Sequence, residues 1–178
     1  IGSDNIAKSP ADGYHLLYTT PSTHVTATFI SKHVPYDPVK DFIPISAAVE
    51  PVSGIVVWPK LPINNVKEMV AYAKANPGKL SFASSGNGGA PHLAGEVFKM
   101  ATGIDMLHVP YRGSGPAVVD VAAGRVDLMT DAAPSLFAMI QAGKLRPLAA
   151  AIQARLAILP DVPTFAELGV KGMDMSLW

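Results

Sequence analysis

The chain has 178 residues, of which 49% are apolar and 16% are charged, so it can bury the core of one ordinary domain or of two small lobes. Its 14 basic and 14 acidic residues are dispersed, which argues against a nucleic-acid-binding surface and against a charged tail. The lack of cysteine excludes disulfides and thiolate metal sites, and no apolar run approaches the ~20 residues that a membrane span needs.

A first strand–loop–helix unit is predicted near the amino terminus. Turn residues at 9–13 precede an apolar, aromatic segment at 14–20, which is typical of a β-strand. The polar elbow that follows can cap a helix starting near Val25. The hydroxyls of Ser22 and Thr23 would then lie at the mouth of this unit, either as helix caps or in contact with a ligand.

The next segment combines a loop and two strands. Pro38 excludes a regular helix at residues 35–42, which we interpret as an ordered surface loop. Residues 43–49 are strand-like. Residues 52–58 are continuously apolar, which indicates a strand buried on both faces.

From residue 65 onward, the pattern predicts a regular alternation of helices and strands. Asn65 can cap a helix that ends at residues 76–78, and an apolar strand then passes through a glycine-rich turn at 84–89 into a helix that ends near Gly103. The remaining elements are a strand at 106–109, a helix capped by Ser114, strands at 126–130 and 145–152 flanking a helix through Leu136 and Ile140, and a capping box at Thr164 and Glu167 that opens a short helix.

This alternation predicts an α/β fold with a parallel sheet and right-handed crossovers. Ligands of such sheets bind beyond the carboxyl ends of the strands. Four loops rich in Ser, Thr, Gly or Asn are predicted to lie there: residues 20–24, 84–89, 111–115 and 131–135.

The glycine-rich turn at 84–89 is the strongest candidate site. A strand that turns through glycines into a helix directs unpaired backbone N–H groups to one point, where the helix dipole adds roughly half a positive charge. Such a turn can bind a carboxylate or a phosphate without lysine or arginine. Side chains of the neighbouring predicted loops can also contact a ligand. Asp131 can cap a helix, accept a hydrogen bond from a ligand or hold a water. Tyr111 and Arg112 can bind an anion; otherwise Arg112 is a surface charge and Tyr111 a lid or a packing ring.

Three alternatives to an anion site are less well supported, namely a dinucleotide site, a metal site and a serine hydrolase site. A dinucleotide fingerprint begins at Gly86 and Gly88, but Pro91 stands where its third glycine belongs. A metal site can start from His92 and Glu96, four residues apart on one helical face, but a third ligand at motif spacing is lacking, and a solvated polar face or a cap contact by His92 explains the pair better.

A serine hydrolase is the alternative from a different functional class. Ser84 or Ser85, in an elbow-like turn, would be the nucleophile; His92 and His108 are available, and Asp131 ends a strand. The G-x-S-x-G elbow is absent, so turn and cap roles explain these serines better.

Several separate segments together resemble the Bug-type solute receptors of tripartite tricarboxylate transporters. The resemblance runs through essentially the whole chain, in order. It differs at Gln153, Ala154 and Arg155, where the family often has a strand leading into a basic residue and a serine. The matching segments are residues 12–17 (DGYHLL), 34–42 (VPYDPVKDF), 75–80 (ANPGKL), 85–96 (SGNGGAPHLAGE), 108–113 (HVPYRG) and 159–167 (LPDVPTFAE).

The resemblance implies a two-lobed periplasmic binding protein fold of type II. Residues 1–50 and 149–178 would belong to a first lobe that is incomplete here, since the family's opening strand and closing helices have no counterpart in the sequence. Residues 51–148 would form the second lobe, with hinges near 50–53 and 148–151.

The resemblance also implies a non-enzymatic receptor that closes on a small carboxylate, without cofactor or metal. Its partners would be the solute and membrane permease subunits, its location the periplasm and its state a monomer. The candidate ligand-binding residues, from the resemblance and the turn chemistry together, are Ser22, Thr23, Ser84, Ser85, Gly86, Asn87, Gly88, His92, Tyr111, Gly113 and Asp131.

Overall fold

The computed structural model describes residues 2–47 and 52–173. The chain forms two compact units, which divide between residues 50 and 51: unit 1 is Ile1–Glu50 with Leu177–Trp178, and unit 2 is Pro51–Ser176. In the described ranges, no helix combines the length and apolar character needed to cross a membrane.

Unit 1 has little regular structure. It contains helix α1 (Gly2–Ala7), a π-helical turn (Ser22–Thr26) and helix α2 (Ala27–Ile30). The rings of His24, Tyr36 and Phe42 pack together, and the Tyr36 hydroxyl donates to the carbonyl of Thr23. This aromatic cluster holds the 35–42 loop on the π-helical turn.

The predicted surface loop of unit 1 is confirmed, but its predicted strands are wrong. The Asp37 carboxylate accepts from the amides of Val39 and Lys40, which closes the loop at 35–42. Residues 14–20 and 43–47 are not β-strands, and Tyr14 is 90% exposed; residues 48 and 49 of the second prediction lie outside the described ranges. A strand needs a hydrogen-bonded neighbour, and these segments find none in the described part of the chain.

Unit 2 is a five-stranded sheet with helices on both faces. Its elements are β1 (Ser53–Val57), α3 (Val66–Ala75), β2 (Ser81–Ser84), α4 (Ala90–Thr102), β3 (Leu107–Pro110), α5 (Ser114–Ala122), β4 (Leu128–Ala132), α6 (Ala133–Gln141) and β5 (Arg146–Ala151). The strand order is β3-β2-β4-β1-β5. The predicted α/β class is therefore confirmed, and helix α5 begins at Ser114 itself, with Gly113 as the cap.

The sheet is mixed, which corrects the prediction of a parallel sheet. Strand β2 runs parallel to β3 and β4, whereas β1 runs antiparallel to β4 and β5. The parallel pairs β2–β3 and β2–β4 come from the alternation of strands and helices that the sequence pattern predicts. The direction of β1 depends on which neighbours it joins, and periodicity carries no information on that choice.

The sheet has an apolar core on each face because consecutive residues of a strand point to opposite sides. Phe82 contributes to the core that includes Met69 and Phe98, and the adjacent Ala83 contributes to the core that includes Met129 and Leu136. Strand β2 is thus buried on both faces, and this packing fixes the position of its carboxyl end, where the glycine-rich turn begins.

Residues 149–173 belong to unit 2. Strand β5 lies in its sheet, and Phe165 and Met173 lie in its core. The predicted capping box is confirmed, since Thr164 and Glu167 exchange side-chain-to-amide hydrogen bonds, but hydrogen-bonded turns replace the short helix. Unit 2 therefore extends beyond the predicted lobe boundary at 148, and the assignment of 149–178 to a first lobe stays a prediction about a longer receptor.

Substitution of Asn65 by alanine is expected to lower the free energy of unfolding of unit 2 by about 1 kcal/mol. The Asn65 side chain accepts from the amide of Glu68 at 2.8 Å and donates to the Glu68 carboxylate at 2.7 Å, which caps α3. Urea titration checks this value. Lys67→Ala, an exposed change in the same turn, is the control, and equal stability of the two variants would contradict the cap.

Candidate functional site

The candidate site lies where β2 turns into α4 at the carboxyl end of the strand. Strand β2 ends at Ser84 and helix α4 begins at Ala90, so residues 85–89 form the loop, here called the glycine loop. Gly86 has φ +147° and Gly88 has φ +71°, which other residues rarely adopt. The backbone therefore bends sharply at these two positions and directs N–H groups toward the start of α4.

Three amides of the glycine loop are already hydrogen bonded within unit 2. The Gly86 N–H donates to the Ser84 hydroxyl at 3.3 Å, and the Gly88 N–H donates to Nδ1 of His92 at 3.0 Å. The Gly89 N–H donates to the Gly86 carbonyl at 3.4 Å. The prediction that the N–H groups of this turn are unpaired is therefore wrong for Gly86 and Gly88, which donate to side chains of unit 2.

Two amides of the predicted set remain available. Within the described residues, the N–H groups of Ser85 and Asn87 have no hydrogen-bond acceptor. Ser85 is half-buried and Asn87 is exposed. Two donors beside the amino end of a 13-residue helix can bind one carboxylate.

Below the loop, aromatic rings and a hydroxyl form a tight cluster. The Ser84 hydroxyl lies 2.7 Å from Nε2 of His108. The imidazoles of His92 and His108 stack at 3.9 Å, and the Phe82 ring stacks on His108 at 4.7 Å. Burial is the main cause that lowers the pKa of His108, and the neighbouring His92 lowers it further.

The Ser84–His108 pair does not make a hydrolase site. Ser84 is fully buried, so its hydroxyl cannot reach a substrate, and it is also bonded to the Gly86 backbone. Ser85 has no histidine contact among the described residues. The alternative of a serine-dependent enzyme is therefore wrong, and the pair serves to hold the loop.

The predicted residues after β3 hold the same loop from its other side. The Tyr111 amide donates to the Ser84 carbonyl and the Gly113 amide to the Ser85 carbonyl. The Tyr111 hydroxyl donates to Asp120 at 2.8 Å, and burial followed by this bond raises the pKa of Tyr111. Tyr111 and Gly113 thus fix the backbone around the site, and direct contact with a solute stays a prediction for both.

Asp131 lies at the end of β4, next to β2. Its Oδ1 accepts from the Ala132 amide at 2.8 Å, and its Oδ2 is buried without a partner among the described residues. The pairing of Ala83 with Met129 places Asp131 level with Ser85 along the two strands. An unpaired buried carboxylate oxygen costs about 1–3 kcal/mol, so a donor at this position would be stabilising.

Ser22 and Thr23 belong to unit 1. The helical region begins at Ser22 and not near Val25, so both residues lie in its first turn. The Thr23 hydroxyl is engaged locally, with the Thr20 carbonyl at 3.1 Å and the Thr19 hydroxyl at 2.6 Å. Their contact with a ligand stays a prediction.

Residues of the metal and dinucleotide alternatives have other roles here. His92 and Glu96 lie 4.0 Å apart, but Glu96 pairs with Lys99 at 3.1 Å. Across residues 2–47 and 52–173, no group of three potential metal ligands exists. Pro91 removes one N–H from the first turn of α4, which weakens a phosphate site there.

The stacking of His92 on His108 is the feature of the site that sequence reasoning missed. The sequence predicts a cap contact for His92 besides catalytic and ligand roles, and the bond from the Gly88 N–H to Nδ1 of His92 is such a contact, but the stacking of the two rings was not predicted. The alternation of β3 carries a usable signal, since His108 pairs with Phe82 in the parallel ladder and so shares its face with α4.

Several solved structures share this fold, among them the periplasmic binding protein BugD, with a TM-score of 0.89 and 35% identity. A protein described as a periplasmic transporter is 44% identical, with a TM-score of 0.93 over 99% of this chain and 59% of its own. A Rhodopseudomonas palustris protein solved with adipate is 36% identical, with a TM-score of 0.93 and 59% of its length covered. Another from Rhodopseudomonas palustris, solved with malate, is 26% identical, with a TM-score of 0.88 over 99% of this chain and 60% of its own.

The family model described as "Tripartite tricarboxylate transporter family receptor" matches residues 1–178, and the chain belongs to this family. Protein BugT of Bordetella pertussis is 37% identical over the whole chain and 55% of its own length. A Pseudomonas sp. (strain P51) protein of the tcbD-tcbE intergenic region is 40% identical over the whole chain and 53% of its own length. The chain thus spans about half the length of the curated relatives it matches, and the resemblance deduced from its motifs is confirmed.

Proposed function

We propose that this chain is the solute-capturing part of a periplasmic receptor that binds a small carboxylate for a tripartite tricarboxylate-type transporter. The observation that carries the proposal is the pair of amides without acceptors among the described residues, Ser85 and Asn87, at the amino end of α4. They offer N–H donors and a helix dipole to an anion without the help of a cationic side chain.

The relatives support the class of solute. The two Rhodopseudomonas palustris proteins were solved with adipate and with malate, which are both dicarboxylates. One carboxylate of such a solute would accept from the Ser85 and Asn87 amides. The unpaired Oδ2 of Asp131 would accept from a hydroxyl or ammonium group of the solute, or from a bound water.

The transport role adds three further elements to the proposal. The partners are membrane permease subunits, the location is the periplasm and the receptor acts as a monomer. The hydroxyls of Ser22 and Thr23 are proposed solute contacts, on the strength of the family resemblance.

Titration calorimetry against a panel of mono- and dicarboxylates, including adipate and malate, tests the proposal. We expect binding of at least one dicarboxylate. Gly86→Ala is expected to weaken that binding about tenfold, because alanine at φ +147° costs about 1–3 kcal/mol and turns the adjacent amides away.

The matched control is Gly143→Ala. Gly143 also has positive φ, +66°, and lies at the end of α6, away from the glycine loop. An added Cβ there would meet no atom within 4 Å. This variant is expected to lose some stability and to keep the affinity. Tight binding of a neutral solute alone, or equal affinities of the two variants, would contradict the proposed site.

A further inference from the structure

We propose that His92, which stacks on His108, is a proton-sensitive latch on the glycine loop: neutral His92 holds the loop closed and protonated His92 releases it. The inference rests on the proposed function, since it gives a regulation to the same loop. Its physical basis is that Nδ1 of His92 accepts from a loop amide, while His108 holds Ser84 at the end of β2 beneath it.

The first tie is between α4 and the loop. The Gly88 N–H donates to Nδ1 of His92 at 3.0 Å, so this nitrogen must keep its lone pair and the proton of neutral His92 lies on Nε2. Protonation of His92 places a hydrogen on Nδ1. Two N–H groups then face each other, and the bond to Gly88 is lost.

The second tie is between β3 and the start of the loop. Nε2 of His108 lies 2.7 Å from the Ser84 hydroxyl, which in turn accepts from the Gly86 N–H. Neutral His108 can accept the hydroxyl proton. Protonated His108 must donate to the Ser84 oxygen, whose second lone pair still accepts from the Gly86 N–H, so this contact keeps both partners on acidification and the release falls to His92 alone.

The charged groups around the pair disfavour two imidazolium rings. The rings are 3.9 Å apart, close enough for strong repulsion if both were charged. Glu96 lies 4.0 Å from His92, and Lys99 bonds to Glu96 at 3.1 Å and also lies 3.9 Å from Asp105. Lys99 therefore offsets part of the negative charge that faces the two rings.

The folding stability also acquires a pH dependence from His108. Burial, His92 and Lys99 lower its pKa from 6.5, and Glu96 acts in the opposite direction without reversing the shift. A lowered pKa means that the folded form binds fewer protons than the unfolded form. The contribution of neutral His108 to the stability of the folded form is complete above pH 6.5 and is lost as the pH falls through the lowered pKa.

Nuclear magnetic resonance of the full chain tests the latch without any solute. We expect neutral His92 to carry its proton on Nε2, and the Gly88 amide to shift between about pH 8 and pH 5 with the midpoint of the imidazoles. In His92→Asn the side-chain oxygen replaces Nδ1 as an acceptor that does not titrate, so the Gly88 shift should lose this midpoint.

His33→Gln is the matched control, because His33 is exposed and its loss should leave the Gly88 titration unchanged. His108→Gln, which keeps a polar group near Ser84, should leave the Gly88 titration in place, because the bond to Gly88 is made by His92. A Gly88 amide that stays constant while His92 titrates, or a titration that persists in His92→Asn, would overturn the latch.

Solute binding by calorimetry at about pH 8 and pH 5.5 completes the test. A dicarboxylate bound by the wild type should lose up to about tenfold in affinity per pH unit below the midpoint, and this loss should shrink in His92→Asn. An affinity that rises on acidification would overturn the latch, since the imidazolium would then attract the anion. If no panel member binds at the higher pH, the proposed function fails, while the resonance data still decide the latch.

Discussion

Gly95→Ala is expected to lower the free energy of unfolding of unit 2 by about 3 kcal/mol, the upper end of what an extra core methyl group costs. An added Cβ at Gly95 would lie 2.2 Å from one carbon of the Phe82 ring and 2.8 Å from two others. Phe82 cannot yield easily, because it is fully buried and stacks on His108. Urea unfolding followed by Trp58 fluorescence in a Trp178→Phe background measures the loss.

Gly115→Ala is the control for this prediction. Gly115 also lies in a helix, α5, but a Cβ there would meet no atom within 4 Å. Alanine should then leave stability unchanged or raise it by up to about 1 kcal/mol through helix propensity. Equal behaviour of the two alanine variants would show that α4 does not pack on Phe82 as described.

Phe165→Ala is expected to cost unit 2 about 3–5 kcal/mol, as for a phenylalanine removed from a core. Phe165 is 2% exposed and contacts the Phe98 ring at a centroid distance of 5.8 Å. Its amide also donates to the Ala150 carbonyl of β5, which fixes the ring over the sheet. The same Trp58 unfolding experiment measures the effect.

Phe29→Ala provides the comparison, since Phe29 is 83% exposed in unit 1 and should change the Trp58 transition by less than about 0.5 kcal/mol. A normal Trp58 transition in Phe165→Ala would show that the segment after β5 does not contribute to unit 2. That result would favour the predicted assignment of residues 149–178 to the first lobe.

The elements of unit 2 could be predicted because each is encoded locally. Asn65 caps α3 as expected, and Gly103 ends α4 in the left-handed conformation that its position after the apolar stripe indicated. The strands of unit 1 could not be predicted in this way. Residues 14–20 have the composition of a strand, but a strand is completed only by a neighbour, and composition does not say whether one is present.

The position of the glycine loop in the chain could be predicted, but its hydrogen bonds could not. The glycine loop follows from the order of strand, glycines and helix. Which amides stay unpaired depends on His92 and Ser84 reaching back to within 3.0 Å and 3.3 Å of the loop amides, and such distances follow from packing across the sheet. The role of Asp131 was equally open, because only the structure shows that its Oδ2 is buried and unpaired among the described residues.

The antiparallel pairing of β1 with β5 has a consequence for engineering. Ser53 and Ala151 are register partners, so the first and last residues of the sheet lie side by side, about 5 Å apart. The point where the chain enters the sheet and the point where it leaves it are therefore adjacent. A module grafted into a host protein has to carry residues 152–173 as well, because Phe165 and Met173 complete its core.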